Sequence, residues 1–140
     1  MSDGLVNGSI SSNSTKATVS ADVSCINSVP TGSIEGTFQF FGGSSIRHFK
    51  FASDSPLIVA TIRQNDVTSV GAVFDDVSVQ ENEFTPITGG TAFLNATRLT
   101  STTWIGAITI CSSDGKRFFF YGTFTGNTTV NRQVFCQPLL

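Results

Sequence analysis

The chain has 140 residues and a mass of 14.9 kDa, which is the size of one domain with a single hydrophobic core. Only 13% of its residues are charged and its formal net charge is −2, so the composition argues against a nucleic-acid partner, which would need a basic surface. No run of about eighteen apolar residues occurs, and the sequence therefore predicts no transmembrane segment.

Residues 1–15 are rich in Ser, Asn and Gly and show no sustained period, which predicts a loose N-terminal arm or an edge strand. Residues 16–140 are expected to form a single β domain. The first residues have neither the basic region nor the hydrophobic stretch of a secretory signal. We therefore expect a cytoplasmic protein, or a secreted one whose signal peptide has been removed. Secretion gains slight weight from four Asn-X-Ser/Thr sequons, at Asn7, Asn13, Asn95 and Asn127.

From Lys16 onward, apolar and polar residues alternate with the period of two that is typical of β-strands. A first strand runs from Ala17 to about Cys25, and a turn is predicted over residues 27–32. Further segments with strand character are residues 34–40, 45–52, 57–62 and 67–79, the last of them interrupted at Asp75-Asp76. The pattern thus places a short strand about every ten residues.

The C-terminal half continues this pattern over residues 91–100, 103–111, 117–125 and 130–136. Residues 103–111 and 117–125 form the clearest hairpin, and Gly115 is expected to supply the positive φ that its turn needs. No segment has a helical period. The sequence therefore predicts an all-β fold, a single antiparallel β-barrel or β-sandwich of about 8–10 short strands. The barrel is favoured because few lysines are available to protect open sheet edges.

No set of residues matches a known catalytic or metal-binding motif. His48 is the only histidine, and it lies between Arg47 and Phe49 without a neighbouring carboxylate to orient it as a general base. The cysteines lack the spacing of a zinc site, and no cofactor is expected. A weak candidate for a divalent cation is an acidic group formed by Asp75, Asp76, Glu81 and Glu83. Asp75 and Asp76 are expected to face opposite sides of their strand and so cannot act as a carboxylate pair.

The three cysteines support different predictions. Cys111 is expected to be reduced and buried, because it follows Ile110 inside an alternating strand. Cys25 and Cys136 end the first and last strands, which are neighbours in a closed barrel. A disulfide between them is therefore a hypothesis that the sequence leaves open.

The composition favours a non-enzymatic binding module with lectin-like recognition of a neutral carbohydrate. Low charge suits a neutral ligand, and Trp104 or Tyr121 would supply an aromatic face beside short hydroxyl and amide side chains. The alternative is a small β-barrel whose apolar cavity binds or converts a hydrophobic molecule, with Tyr121, Glu35 or Arg98 as its polar groups.

A third hypothesis is a structural or assembly protein. Phe118, Phe119 and Phe120 place large apolar groups on both faces of one strand, which predicts an apolar cover outside the barrel: a partner subunit in a homodimer, the N-terminal arm or a ligand.

Overall fold

The structure is a computed structural model, and it describes residues 6–13, 17–42, 45–130 and 133–137. Over those ranges no helix has the length and apolar character that crossing a membrane requires. Ten strands are formed: β1 (Val6–Asn13), β2 (Ala17–Ile26), β3 (Val29–Gly42), β4 (Ser45–Ser53), β5 (Ser55–Gln64), β6 (Val67–Glu81), β7 (Ile87–Arg98), β8 (Thr103–Cys111), β9 (Arg117–Val130) and β10 (Val134–Cys136).

The predicted all-β, antiparallel fold is confirmed. Every strand pairing is antiparallel, and all ten strands belong to one curled sheet. Within the N-terminal segment that the sequence left as an arm or an edge strand, residues 6–13 form β1, which pairs with β2 on one side and β9 on the other. Residues 1–5, 14 and 15 of that segment lie outside the described residues.

The sheet closes on itself through the pairing of β6 with β7. Following neighbours from β6 through β4, β3, β2, β1, β9, β8 and β7 leads back to β6, which makes a ring of eight strands. In such a ring β3 and β8 lie on opposite sides, since four steps separate them in either direction. Closure pairs β7, which would otherwise be an edge strand of the sheet, with β6.

Strands β4 and β5 act as one bent strand along a single edge of β6. Residues 49–52 of β4 pair with residues 78–81, and residues 55–64 of β5 pair with residues 67–75. The bend lies at Asp54, and a register irregularity follows between Pro56 and Ile58. The short strand β10 pairs with residues 59–61 on the remaining edge of β5.

Alternation along the strands separates an apolar interior from a mixed outer surface. In β8, for example, Trp104, Gly106, Ile108 and Ile110 are buried while the residues between them are partly exposed. The interior is filled by side chains at the level of a phenylalanine cluster. Its rings come from β3, β4 and β9, and the members are Phe38, Phe49, Phe51, Phe118 and Phe120. The ring centroids of Phe38 and Phe118 are 4.8 Å apart, although β2 and β1 lie between their strands in the sheet. The cluster therefore reaches across the lumen.

The prediction that Asp75 and Asp76 face opposite sides of β6 is wrong. Both residues are exposed, and Asp76 has a φ of 50°, in the left-handed region. The pairing of β6 with β7 is irregular between Phe74 and Val77, which is a β-bulge that shifts the alternation by one residue. The bulge keeps both carboxylates in solvent, and it returns Val77 and Val79 to the apolar interior.

The prediction that Cys111 is buried is also wrong. Because Ile110 points inward, Cys111 points outward and is partly exposed; its thiol is free. Cys25 and Cys136 are both buried and unbridged, and their thiols are hydrogen-bonded neighbours. Burial, together with the contact to Cys25, raises the pKa of Cys136 to about 12.

We expect Cys111 to react with a thiol reagent much faster than Cys25 or Cys136. Only the thiolate is nucleophilic, and Cys136 combines burial with a raised pKa. Timed labelling of the native chain with N-ethylmaleimide, followed by peptide mass spectrometry, measures the three rates. Equal rates for all three thiols under native conditions would contradict the placement of Cys25 and Cys136 in the interior.

We expect Gly106→Ala to destabilise the chain strongly, while Gly122→Ala does not. The two glycines are paired across β8 and β9, yet an added Cβ would lie 2.7 Å from Ala96 Cα at Gly106 and would meet nothing within 4 Å at Gly122. The first change forces β7 and β8 apart, at a cost of about 1–3 kcal/mol. The second lowers the entropy of the unfolded chain and is neutral or stabilising by up to about 1 kcal/mol. Urea unfolding of both variants measures the difference, and similar losses in both would count against the close approach of β7 to β8.

Candidate functional site

Two adjoining cavities, of about 270 and 360 Å³, open on the outer surface of the barrel over β2, β3, β4 and the end of β6. We call this surface the β3 groove. Both cavities are lined by Thr18, Thr37, Lys50 and Gln80. The remaining outward residues of the groove are Ser20, Glu35, Gln39, His48, Ala52, Ser78, Asn82 and Pro86.

The groove follows from strand register. Thr18, Thr37, Lys50 and Gln80 are successive partners across β2, β3, β4 and β6, so their side chains form one row on the outer face. A second row beside it consists of Ser20, Glu35, Ala52 and Ser78. Residues two apart on a strand share a face, and the two rows therefore form one continuous surface.

Short, neutral, hydrogen-bonding side chains dominate this surface. Among the residues lining the two cavities, Glu35 is the one carboxylate and Lys50 the one ammonium, so the groove has a balanced charge. His48 is exposed on β4 and lines the smaller cavity. Apolar contact comes from Phe38 and Phe49 in the smaller cavity and from Phe51 and Pro86 in the larger.

Gly36 makes room for the phenylalanine that reaches the larger cavity. An added Cβ at this position would lie 2.7 Å from Cε1 and 2.9 Å from Cζ of the Phe51 ring. The ring therefore packs directly against the backbone of β3, below the outer row that contains Glu35 and Thr37. A larger residue at position 36 would displace the ring and change the shape of the groove.

The loop over residues 82–86 forms one wall of the groove. The Asn82 N–H donates to the His48 carbonyl at 2.8 Å, which ties the loop to β4. The Gln80 side-chain Nε2 donates to the Phe84 carbonyl at 2.9 Å. These two bonds fix both the side chain of Gln80 and the position of Pro86 beside the larger cavity.

An ion pair between Arg47 and Glu81 lies where β4 begins and β6 ends. Arg47 donates to both carboxylate oxygens of Glu81, with its Nε at 2.9 Å and its Nη2 at 2.6 Å. The hydrogen bonds from Arg47 hold the pKa of the Glu81 carboxyl below its ordinary value, and Lys116 adds to this effect through its charge. The nearby Ser112 hydroxyl and the Lys116 ammonium, whose Nζ is 3.1 Å from Asp114 Oδ2, likewise lower the pKa of Asp114. A third cavity, of about 210 Å³, lies between these charges and the exposed ring of Phe84.

The structure does not bring together the four ligand-binding residues predicted from the sequence. Glu35 lines the β3 groove. Tyr121 is exposed on the outer face of β9, which the ring places on another side of the barrel. Arg98 ends β7 and is paired with Trp104 at the start of β8. Glu35 is therefore the one predicted residue in the groove, and the roles of the other three stay predictions.

Trp104 lies inside the barrel and is 1% exposed, so it presents no ring face to the outer surface. Its indole N–H has no hydrogen-bond partner among the described residues. A buried donor without a partner costs about 1–3 kcal/mol. Any ligand of Trp104 would have to be held in the interior, away from the β3 groove.

The structure does not bring together the four acidic residues that the sequence offers as a weak cation site. Within the described ranges no group of three or more His, Cys, Asp and Glu side chains is placed to hold a metal ion. Asp75 and Asp76 sit at the bulge in the middle of β6, whereas Glu81 is engaged by Arg47 at its end. About six residues of extended strand, roughly 20 Å, separate the two positions.

Sequence reasoning missed Thr18, Thr37, Lys50 and Gln80, the shared lining of both cavities. The alternation does predict that these polar residues face outward. It does not tell which strands are neighbours, and the row exists only because β4 lies between β3 and β6. The information that the sequence pattern lacked was the order of strands in the sheet, not the chemistry of the side chains.

Comparisons with protein-family models, with curated proteins and with solved structures found no match to this chain.

We expect Glu81→Gln to lower the melting temperature at neutral pH, and we expect this difference to shrink in acid. The fold favours the ionised carboxyl of Glu81, so its stabilising effect is complete above the unfolded-state pKa and is lost as the pH falls through the depressed folded-state pKa. Thermal melts between pH 7 and about pH 3 measure this change. Glu83→Gln, at an exposed position in the adjoining loop, is the matched control. A difference between Glu81→Gln and the native chain that stays constant down to the lowest pH would contradict the assignment.

Proposed function

We propose that the chain is a non-enzymatic binding module that recognises a neutral carbohydrate in the β3 groove. The observation that carries the proposal is the pair of adjoining cavities lined by hydroxyl and amide side chains. Sugar hydroxyl groups both donate and accept hydrogen bonds. Threonine and serine hydroxyls and glutamine amides can satisfy either role.

Charge and shape both support a neutral, elongated ligand. The single carboxylate of Glu35 can accept bonds from two adjacent hydroxyls, and Lys50 can donate to others. Their opposite charges leave the groove without a net preference for ionic ligands. The larger cavity, about 360 Å³, is within the range of small-molecule sites, and the second cavity beside it suits a further sugar ring.

Binding is favoured over hydrolysis by the arrangement of acids. A glycosidase needs two carboxyl groups about 5–10 Å apart across the substrate. Glu35 is the one carboxylate among the described residues that line the two cavities. The lectin-like hypothesis therefore fits this groove better than a carboxylate-pair enzyme does.

The phenylalanine cluster favours surface recognition over the alternative of an apolar cavity. The ring centroids of Phe38 on β3 and of Phe118 and Phe120 on β9 are 4.8 Å apart across the lumen, so a hydrophobic ligand at this level would need space that the rings occupy. Opening such a space would break ring contacts worth about 0.5–1.5 kcal/mol each, in addition to their buried area. Binding of an apolar ligand is the alternative that uptake of a hydrophobic dye would reveal.

We expect Thr37→Val to weaken glycan binding about tenfold, and Glu35→Gln to weaken it by a similar factor or more. Each change preserves the size of the side chain, while it removes a hydroxyl or a charged acceptor from the groove. A glycan array first identifies a ligand, and isothermal titration with that ligand then measures the loss. The affinity is expected to depend little on salt, because the ligand is neutral.

Thr123→Val is the matched control, since Thr123 is also an exposed outward threonine but lies on β9. It is expected to bind as the native chain does. Equal affinities for Thr37→Val and the native chain would exclude the groove as the site. A silent array combined with saturable uptake of a hydrophobic dye would replace the proposal with the apolar-ligand alternative.

A further inference from the structure

The side of the barrel opposite the β3 groove is a broad surface without charge, which we call the neutral face. It is formed by three outward rows across β6, β7, β8 and β9 that follow from the register. The first row consists of Val73, Phe93, Thr109 and Phe119. The second consists of Gly71, Asn95, Ala107 and Tyr121, and the third consists of Ser69, Thr97, Ile105 and Thr123. No member of the three rows carries a charge at neutral pH, although the face is wide enough to span half of the ring.

Aromatic rings stand exposed on this face. Phe93, Phe119 and Tyr121 are 44%, 65% and 67% exposed. An aromatic side chain has roughly 200 Å² of surface, so the three rings leave roughly 350 Å² in contact with water. Exposed apolar surface on this scale marks an interaction site more often than it marks an inert surface.

We propose that the neutral face is the interface of a homodimer. The exposed aromatic area suits a weak contact. The three rings alone offer roughly 350 Å² per copy, so a symmetric pair would bury roughly 700 Å² of aromatic surface. This area is below the about 1,000 Å² expected of a stable interface. It therefore fits a weak, reversible dimer rather than an obligate one.

The charge of the neutral face also allows two copies to meet through the same surface. A two-fold axis places the same patch on both sides of the contact, and a patch with net charge would repel its own copy. The uncharged rows avoid that repulsion. Ser69 and Thr97 already satisfy each other, with their hydroxyl oxygens 3.2 Å apart, which reduces the cost of removing them from water.

The shape of the neutral face also suits a contact between two copies. Ala107 and Thr109 on β8 are small, and they lie between Phe93 on β7 and the rings of Phe119 and Tyr121 on β9. The face thus contains an aromatic ridge along β9 and a trough along β8. A second copy turned by the two-fold axis can place its ridge in this trough while its own trough receives the other ridge. Aromatic side chains are also the type enriched at interface centres.

Dimerisation through this face would leave both β3 grooves open. Because β3 lies opposite β8 in the ring, the two grooves would point away from each other on the outside of the dimer. The pair would then be bivalent, and binding to a surface that displays many ligands would be strengthened without any new contact. This consequence rests on the proposed function, whereas the dimer itself does not.

The dimer is tested by sedimentation velocity on protein made in bacteria, over a concentration series from about 1 to 500 µM. Bacterial protein is required because Asn95 belongs to a sequon at the centre of the face, and a glycan there would block a partner. We expect the mass to rise from 14.9 kDa towards twice that value across the series. A native chain that stays monomeric at the highest concentration overturns the proposal.

Phe119→Lys is expected to weaken the dimer at least tenfold, since the two-fold axis would bring two unpaired ammonium groups into the interface. Phe84→Lys is the matched control, because Phe84 is 67% exposed but lies in the loop over residues 82–86. Circular dichroism checks that both variants are folded. Dimerisation of Phe119→Lys with the native constant would exclude the neutral face. Titration of a soluble glycan into monomeric Phe119→Lys tests the groove separately, so that failure of one proposal is distinguishable from failure of the other.

Discussion

The pairing of β6 with β7 is the interaction on which the rest of this structure depends. It joins β7, otherwise an edge strand of the sheet, to β6, and the resulting ring of eight strands has a distinct inside and outside. The pairing extends along most of β6, through the bulge at Asp75 and Asp76. Without the bulge, strict alternation would place either a carboxylate in the apolar interior or Val77 on the outer surface. Closure of the ring therefore depends on the bulge, which keeps both acids in solvent.

Closure also explains why both proposed binding surfaces lie on the outside of this barrel. A ring of eight strands has an interior just wide enough for side chains to fill it, and here the rings of Phe38 and Phe118 meet in the lumen. The chain therefore has a single apolar interior and a long outer circumference. The polar rows of the β3 groove lie on the side of that circumference that contains β3, and the neutral face lies on the side that contains β8. Recognition and self-association can then use different surfaces of a small domain.

Local properties of this fold could be predicted from the sequence, and non-local ones could not. The alternation of residues 103–111 predicted which side chains of β8 face inward, and the positive φ of Gly115 was expected from its turn. The relation of Glu35 to Tyr121 depends on the order of strands around the ring, which no local pattern encodes. The bulge at Asp76 was missed for a related reason, because a shift of one residue reverses which side chains face the interior. The outward position of Cys111 instead follows from the alternation that places Ile110 inward, and the expectation of a buried thiol did not agree with that alternation.

The pairing of β1 with β9 has a consequence for how the chain is made. Residues 6–11 pair with residues 125–130, so the ring joins segments that are far apart in the sequence. During synthesis the early hairpins can form in sequence, but β1 has to wait for its second partner until β9 has left the ribosome. Until then β1 offers an unpaired backbone edge to any neighbouring nascent chain. We expect shortened forms that lack β9 to be prone to aggregation, and we expect the rate of release from the ribosome to influence the yield of folded protein.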